Sequence, residues 1–203
     1  MALAWAACCG AAEQRQADFG GQPASAEARA VAQWAYAERN AEGRPFAVVD
    51  KKNARIHVFG PDGRLVGASA ALLGLARGDD SVPGIGARPV SLIAPQERTT
   101  PAGRFESVPG RNDKGEAVVW VDYETAIAIH RVRPGPAAER RAQRLDSDTP
   151  ADNRISLGCI VVSEGFFEHV VAKTLGRGRG VVYVLPETRD WQAEFGLRSP
   201  LQL

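Results

Sequence analysis

One cysteine and one histidine stand where a thiol could carry out acyl transfer. Cys159 follows a glycine in Ser156-Leu157-Gly158-Cys159-Ile160, and His130 lies near the end of the apolar run Thr125 to Arg131. An imidazole that takes a thiol's proton makes it a strong nucleophile, and the N-terminal end of a nearby helix favours the thiolate. Ser163, just beyond, can cap such a helix. Gly158 lets backbone approach a substrate, so the amides around Cys159 could stabilise a developing oxyanion. A third group must orient His130, and Ser156, Asp148, Asp152 or a backbone carbonyl would each serve. A solitary cysteine is most often a small buried hydrophobe, so its neighbours decide the reading.

The elements that must position this pair follow from periodicity. Ser25 can cap a helix in which Ala28, Val31, Trp34 and Ala35 recur at helical spacing, with Asn40 and Gly43 ending it. The period then changes to two. Runs at 45–49, 55–59 and 64–68 are separated by Asp50-Lys51-Lys52-Asn53 and Gly60-Pro61-Asp62-Gly63, which predicts a β-meander. Residues 78–89 read as a loop. Strands are expected at 117–121 and 125–131; in the second, Ile127 and Ile129 point one way, and Ala126, Ala128 and His130 the other. Small neighbours on the His130 face leave room for a ligand. Residues 132–154 form a charged connection with a short helix expected over 137–145. A helix from Ser163 to Thr174 should turn Phe166, Phe167, Val170 and Val171 to the core, before a strand at 181–185.

The chain has 203 residues, 25 Lys and Arg against 24 Asp and Glu, and three cysteines. That length suits one domain with a sizeable core. Balanced charge argues against a general nucleic-acid binder. No uncharged stretch approaches the roughly 20 apolar residues of a membrane helix. Adjacent Cys8 and Cys9 with a distant Cys159 make neither a disulfide framework nor a zinc pattern, and no metal or cofactor is expected. Residues 1–22 read as a remnant export leader without its basic region, or as an unstructured N-terminus. His57 and His169 have no catalytic context. Gly176 to Gly180, despite its glycines and arginines, precedes a strand and lacks the Lys-Ser/Thr ending of a phosphate loop.

Three ordered motifs, Thr100-Pro101-Ala102-Gly103-Arg104-Phe105, Ala128-Ile129-His130 and Ser156-Leu157-Gly158-Cys159-Ile160, resemble the YkuD-type L,D-transpeptidase catalytic domain over residues 44–186. The resemblance implies a mostly β, sandwich- or barrel-like fold with a few short helices, flanked by an N-terminal helix at 23–43 and a tail at 187–203. It also implies a cysteine acyltransferase of the periplasm or cell envelope acting on peptidoglycan stem peptides and open to acylation by carbapenems. Cys159 takes the nucleophile's position, His130 the base's and Ser156 the family's serine, while Gly158 and Cys159 supply the oxyanion backbone. Leu157 stands where the family usually has His or Arg, and Val161 where Asn or Arg is common. The same resemblance allows an L,D-carboxypeptidase or a catalytically silent wall-binding module. Within the connection, Arg131 and Arg154 are the arginines closest to the motifs and are expected to meet carboxylates of the substrate.

Overall fold

Short β-branched runs divided by tight turns dominate the sequence, and the chain accordingly folds as a mostly β protein. The computed structural model describes residues 15–197; the reading of the first residues as a leader, with Cys8 and Cys9, lies outside the described residues. Helix α1 (Ala26–Ala37) precedes β1 (Phe46–Asp50), β2 (Arg55–Phe59), β3 (Leu65–Ala70) and the short β4 (Leu73–Gly74). Then come β5 (Gly103–Arg111), β6 (Ala117–Asp122), β7 (Ile127–Arg131), helix α2 (Arg141–Leu145), β8 (Arg154–Ser156) and β9 (Ile160–Val162). Helix α3 (Glu164–Phe166), β10 (Gly180–Val184) and helix α4 (Trp191–Glu194) complete it.

Eight strands form one sheet in the order β3, β2, β1, β10, β5, β6, β7, β9. Leu72, just after β3, exchanges backbone hydrogen bonds of 2.7 and 2.9 Å with Val161 of β9. This bridge nearly closes the sheet on itself and leaves few unpaired strand edges. Ala47, Val49, Ile56, Val58, Ile127, Ile129, Ile160 and Val162 fill one core from alternate strand positions. Helix α1 covers the other face of β1, β2 and β10, packing Ala28, Val31, Ala32 and Ala35 against Phe46, Val48, Phe59 and Tyr183. Its cap forms as the sequence predicts: Ser25 Oγ accepts from the Ala28 amide at 3.1 Å, a contact worth about 1 kcal/mol. The same hydroxyl donates to Asp50 Oδ2 at 2.6 Å and ties the helix start to the end of β1. Phe195 joins this second core with Trp191 and Leu197 packed against it, so the described part of the C-terminal segment packs on the body.

Two expected helices differ from the simple pattern. After α3 the chain widens into a π-helical stretch, Phe167–Val171, closed by the Ala172 amide on the Phe167 carbonyl at 2.8 Å. The wider turn brings Phe167, Val171 and Leu175 together in the core. Within 137–145, Arg140 adopts a left-handed conformation (φ 48°) that separates a 3-10 turn at Ala137–Glu139 from α2.

The turn after β1 carries the most tightly bound charge of the fold. Lys51 is fully buried, and its Nζ donates to Gly78 O at 2.6 Å, Asp79 Oδ1 at 2.7 Å and Thr100 O at 2.8 Å. Asp79 also accepts from the amides of Glu187, Thr188 and Arg189 at 2.8 to 2.9 Å. Arg154 closes the group through both guanidinium nitrogens to Glu187 and a 2.8 Å bond to the Lys51 carbonyl. Burial opposes ionisation of Asp79, yet the hydrogen bonds from Lys51 and Thr188 hold its carboxyl well below the usual carboxylate range.

Candidate active site

Parallel pairing of β7 with β9 joins the two chemically interesting segments. Ile129 lies beside Ile160, His130 beside Val161 and Arg131 beside Val162. One step back along this register, Cys159 adjoins Ala128, whose backbone lies close to the sulfur. Alternation then turns Cys159 and His130 to the same face, while Ile127 and Ile129 enter the core as the sequence predicts.

His130 Nδ1 lies 2.8 Å from the carbonyl oxygen of Arg131. A carbonyl only accepts, so Nδ1 carries the proton and Nε2 is left as the basic nitrogen. Of the four groups that might orient the imidazole, a backbone carbonyl is the one in place. Burial lowers the pKa of His130; the Arg131 carbonyl opposes this, and the positive charges of Arg133 and Arg141 add to it. The thiol of Cys159 donates to Ala126 O at 3.6 Å, and Ala126 itself sits in the left-handed region (φ 58°). Burial pushes the thiol pKa up, with the Ala128 backbone and Arg133 pulling weakly the other way. The helical run that starts at Glu164 and continues through Val171 is not among the influences on this thiol, and burial favours its protonated form. Burial thus favours the neutral form of both the Cys159 thiol and the His130 imidazole.

Cys159 sits on a turn held at every peptide. Ser156 Oγ accepts from the Gly158 amide at 3.1 Å and donates to the Cys159 carbonyl at 2.7 Å. Gly158 has φ 137°, and a Cβ there would stand 2.6 Å from Ile127 Cδ1 and 2.8 Å from Thr99 O, so only glycine fits. Because the Gly158 N–H is engaged by Ser156, the Cys159 N–H becomes the candidate oxyanion donor in this turn.

Neither arginine chosen from the sequence faces this site. Arg131 points to the opposite side of β7 and pairs with Glu168 at 3.5 Å. Arg154 is held in the interior by Glu187, because β8 runs beside β4 at the base of the Lys51 group. Arg133 and Arg141 stand nearer, with Arg140, along a groove of about 460 Å³ also lined by Glu164. Sequence proximity misled here: alternation within β7 turns Arg131 away from His130, whereas Arg133 lies beyond the end of the strand, in the connection that lines the groove. On its other side Cys159 lines a cavity of about 150 Å³ with Ile85, Val90, Ile93, Ile127 and Leu157. The loop expected at 78–89 contributes Ser81, Ile85, Gly86 and Arg88 to this lining; it holds one 3-10 turn, Ile85–Ala87, with Gly86 packed directly on the backbone of Glu124 and Ala126, and two more follow it at Val90–Leu92 and Pro95–Glu97.

No family model matches this sequence, and no curated protein sequence matches it. Solved structures do match. An L,D-transpeptidase, LdtMt1, determined in complex with imipenem aligns at 14% identity with a TM-score of 0.41, covering 70% of this chain and 58% of that one. The helical cell shape determining protein Pgp2 from Campylobacter jejuni aligns at 16% identity and TM-score 0.45, covering 72% and 49%. An L,D-transpeptidase from Mycobacterium smegmatis aligns at 15% identity and TM-score 0.39, covering 70% and 58%. The chain therefore spans about half to three-fifths of the length of these three solved structures.

Proposed function

We propose that this chain is a cysteine-dependent L,D-transpeptidase of peptidoglycan stem peptides, working in the periplasm or cell envelope. The observation that carries the reading is the shared face of Cys159 and His130 across the β7–β9 pair, with the imidazole fixed through Nδ1 to the Arg131 carbonyl. The resemblance of the three motifs to the family supplies the substrate class.

The reaction has two halves. His130 Nε2 takes the thiol proton as Sγ attacks the carbonyl carbon joining an L-centre to the terminal D-residue. Negative charge collects on the carbonyl oxygen, where the Cys159 N–H is the turn's donor. Collapse breaks the C–N bond, and the imidazolium returns its proton to the departing amine, leaving a thioester on Cys159. An acceptor amine then gives a proton to His130 and attacks the thioester, and the thiolate leaves and is reprotonated. Water in place of the amine would make the enzyme a carboxypeptidase. A neutral starting pair suits this sequence, because proton transfer accompanies attack and no buried ion pair must be maintained.

Two surfaces sort the substrate. In the groove of Arg133, Arg140 and Arg141, Arg133 pairs with Glu116 at 2.7 Å and Arg141 with Glu139, so a stem-peptide carboxylate would share or replace these acids on the guanidinium forks. The cavity beside Cys159 has a mixed lining, with Ile85, Ile93 and Ile127 facing Ser81, Arg88 and Thr125, and suits a small group that is apolar on one side and polar on the other. Leu157, 36% exposed on its rim, gives this side an apolar edge. Incubation with tetrapeptide-containing muropeptides tests the reading. Cross-linked dimers or exchange of the terminal D-residue are expected; shortened peptides alone would indicate the carboxypeptidase. Co-sedimentation with sacculi without any turnover, unchanged in Cys159→Ala, would replace the proposal with a wall-binding module.

A further inference from the structure

The geometry points to Thr100 as a positioning residue for the oxyanion donor. The inference rests on the acyl-enzyme reading above and adds to it a residue that does not touch the substrate.

Thr100 is fully buried. Its Oγ1 lies 2.9 Å from the Gly74 amide nitrogen and 2.8 Å from the Gly158 carbonyl oxygen. The first partner can only donate and the second can only accept. The hydroxyl proton therefore has one place to go, and it points at Gly158 O. That oxygen belongs to the same planar trans peptide as the Cys159 N–H, so the two groups point in opposite directions from one rigid plate. Fixing the carbonyl fixes the amide.

The plate needs fixing because glycine precedes it. Steric room excludes any side chain at position 158, but the missing Cβ also removes the local barrier to rotation of the following peptide. The neighbouring peptides are held by Ser156, through the Gly158 N–H on one side and the Cys159 carbonyl on the other. Thr100 supplies the restraint for the peptide between them. A hydrogen bond to its carbonyl also polarises the amide and strengthens the N–H as a donor to an oxyanion. Thr100 is itself anchored, since its carbonyl accepts from the buried Lys51 ammonium at 2.8 Å. A chain of contacts thus runs from the interior charge group to the reacting centre.

The test separates oxyanion stabilisation from nucleophile reactivity. Acylation by a carbapenem builds an oxyanion, whereas alkylation by iodoacetamide does not and reports only on the thiol. Both rates are measured at Cys159 by peptide mass spectrometry for wild type, Thr100→Val, Thr100→Ala and Thr100→Ser, with near-UV circular dichroism confirming the folded state. Losing the preorganised donor should slow acylation about tenfold to a hundredfold in Thr100→Val. Thr100→Ala should move the same way, and provides the measurement if the valine variant does not fold. Alkylation should stay within about threefold of wild type, and Thr100→Ser should recover most of the acylation rate. Unchanged acylation in the two hydroxyl deletions overturns the inference, as does an equal loss of acylation and alkylation, which would make Thr100 a support of the fold alone. A folded wild type that neither gains the drug mass nor turns over stem peptide refutes the acyl-enzyme reading itself, and this inference with it.

Discussion

Replacing Lys51 with methionine should destabilise the protein far more than a surface lysine would. The ammonium is completely enclosed and makes three hydrogen bonds of 2.6 to 2.8 Å, one to the Asp79 carboxylate and two to backbone carbonyls. Asp79 stays in place in the variant, its side chain 1% exposed, with its buried ammonium partner gone and, among the described residues, only the partly exposed Arg189, 4.0 Å away, left as a cation beside it. Leaving one partner of a buried pair uncompensated costs about 3–5 kcal/mol, a large part of the roughly 5–15 kcal/mol that holds a domain folded. For a chain of this length each kcal/mol lowers Tm by about 2–4 °C, so a fall of about 6–20 °C is expected by calorimetry at neutral pH. The deficit should also depend on pH. The folded carboxyl of Asp79 lies below its unfolded value of 3.8, so its stabilisation is complete above that value and is lost as the pH falls through and below it. Lys51 supports part of that stabilisation, so the gap between wild type and Lys51→Met should narrow on acidification from pH 7 to about pH 3. A loss below about 1 kcal/mol at pH 7, the range of an exposed pair, would refute the reasoning. A pH-independent loss would assign the effect to packing instead of charge.

The neutral thiol and imidazole predict two titrations. Burial raises the Cys159 thiol, so iodoacetamide alkylation should rise with an inflection above the ordinary thiol value of 9.0; a plateau reached below pH 7 would instead indicate a thiolate–imidazolium pair. Burial lowers His130, so the acid limb of carbapenem acylation should lie below 6.5, the base becoming competent as pH rises through that limb. Arg133→Gln should raise KM for an anionic stem peptide about tenfold, the order of one charge-assisted hydrogen bond, with kcat little changed. The effect should vanish for a peptide whose carboxylates are amidated, and an equal effect on both peptides would remove the groove from substrate binding.

Local pattern carried much of this fold. Alternation marked β1, β2 and β3, Ser25 marked the start of α1, and the two-residue period correctly set His130 opposite Ile127 and Ile129. What escaped was whatever depended on contacts distant in sequence. Lys51 sits in a polar turn that reads as solvated, and only the arrival of Asp79, Thr100 and the segment at Glu187 makes it interior. Arg154 was drawn to Glu187 by the same long-range packing. The π-helical stretch was hidden because Phe166, Phe167, Val170 and Val171 satisfy an ordinary helical stripe equally well. In the candidate site, the tight turn at Cys159 was legible from Ser156 and Gly158. The partner of His130 is a main-chain carbonyl that any residue at 131 could supply, so no side-chain signal marks it. Thr100 was visible in its motif, but its role follows from a hydrogen-bond direction that needs coordinates.

The central claim is a covalent acyl-enzyme on Cys159. Its most direct test is the mass of the protein after incubation with a carbapenem, followed by peptide mapping, because Cys8 and Cys9 also carry thiols. The account predicts one drug mass, located on Cys159 and absent from Cys159→Ala. An unmodified protein whose Cys159 is shown to be free and reduced, or an adduct that persists in Cys159→Ala, would contradict it.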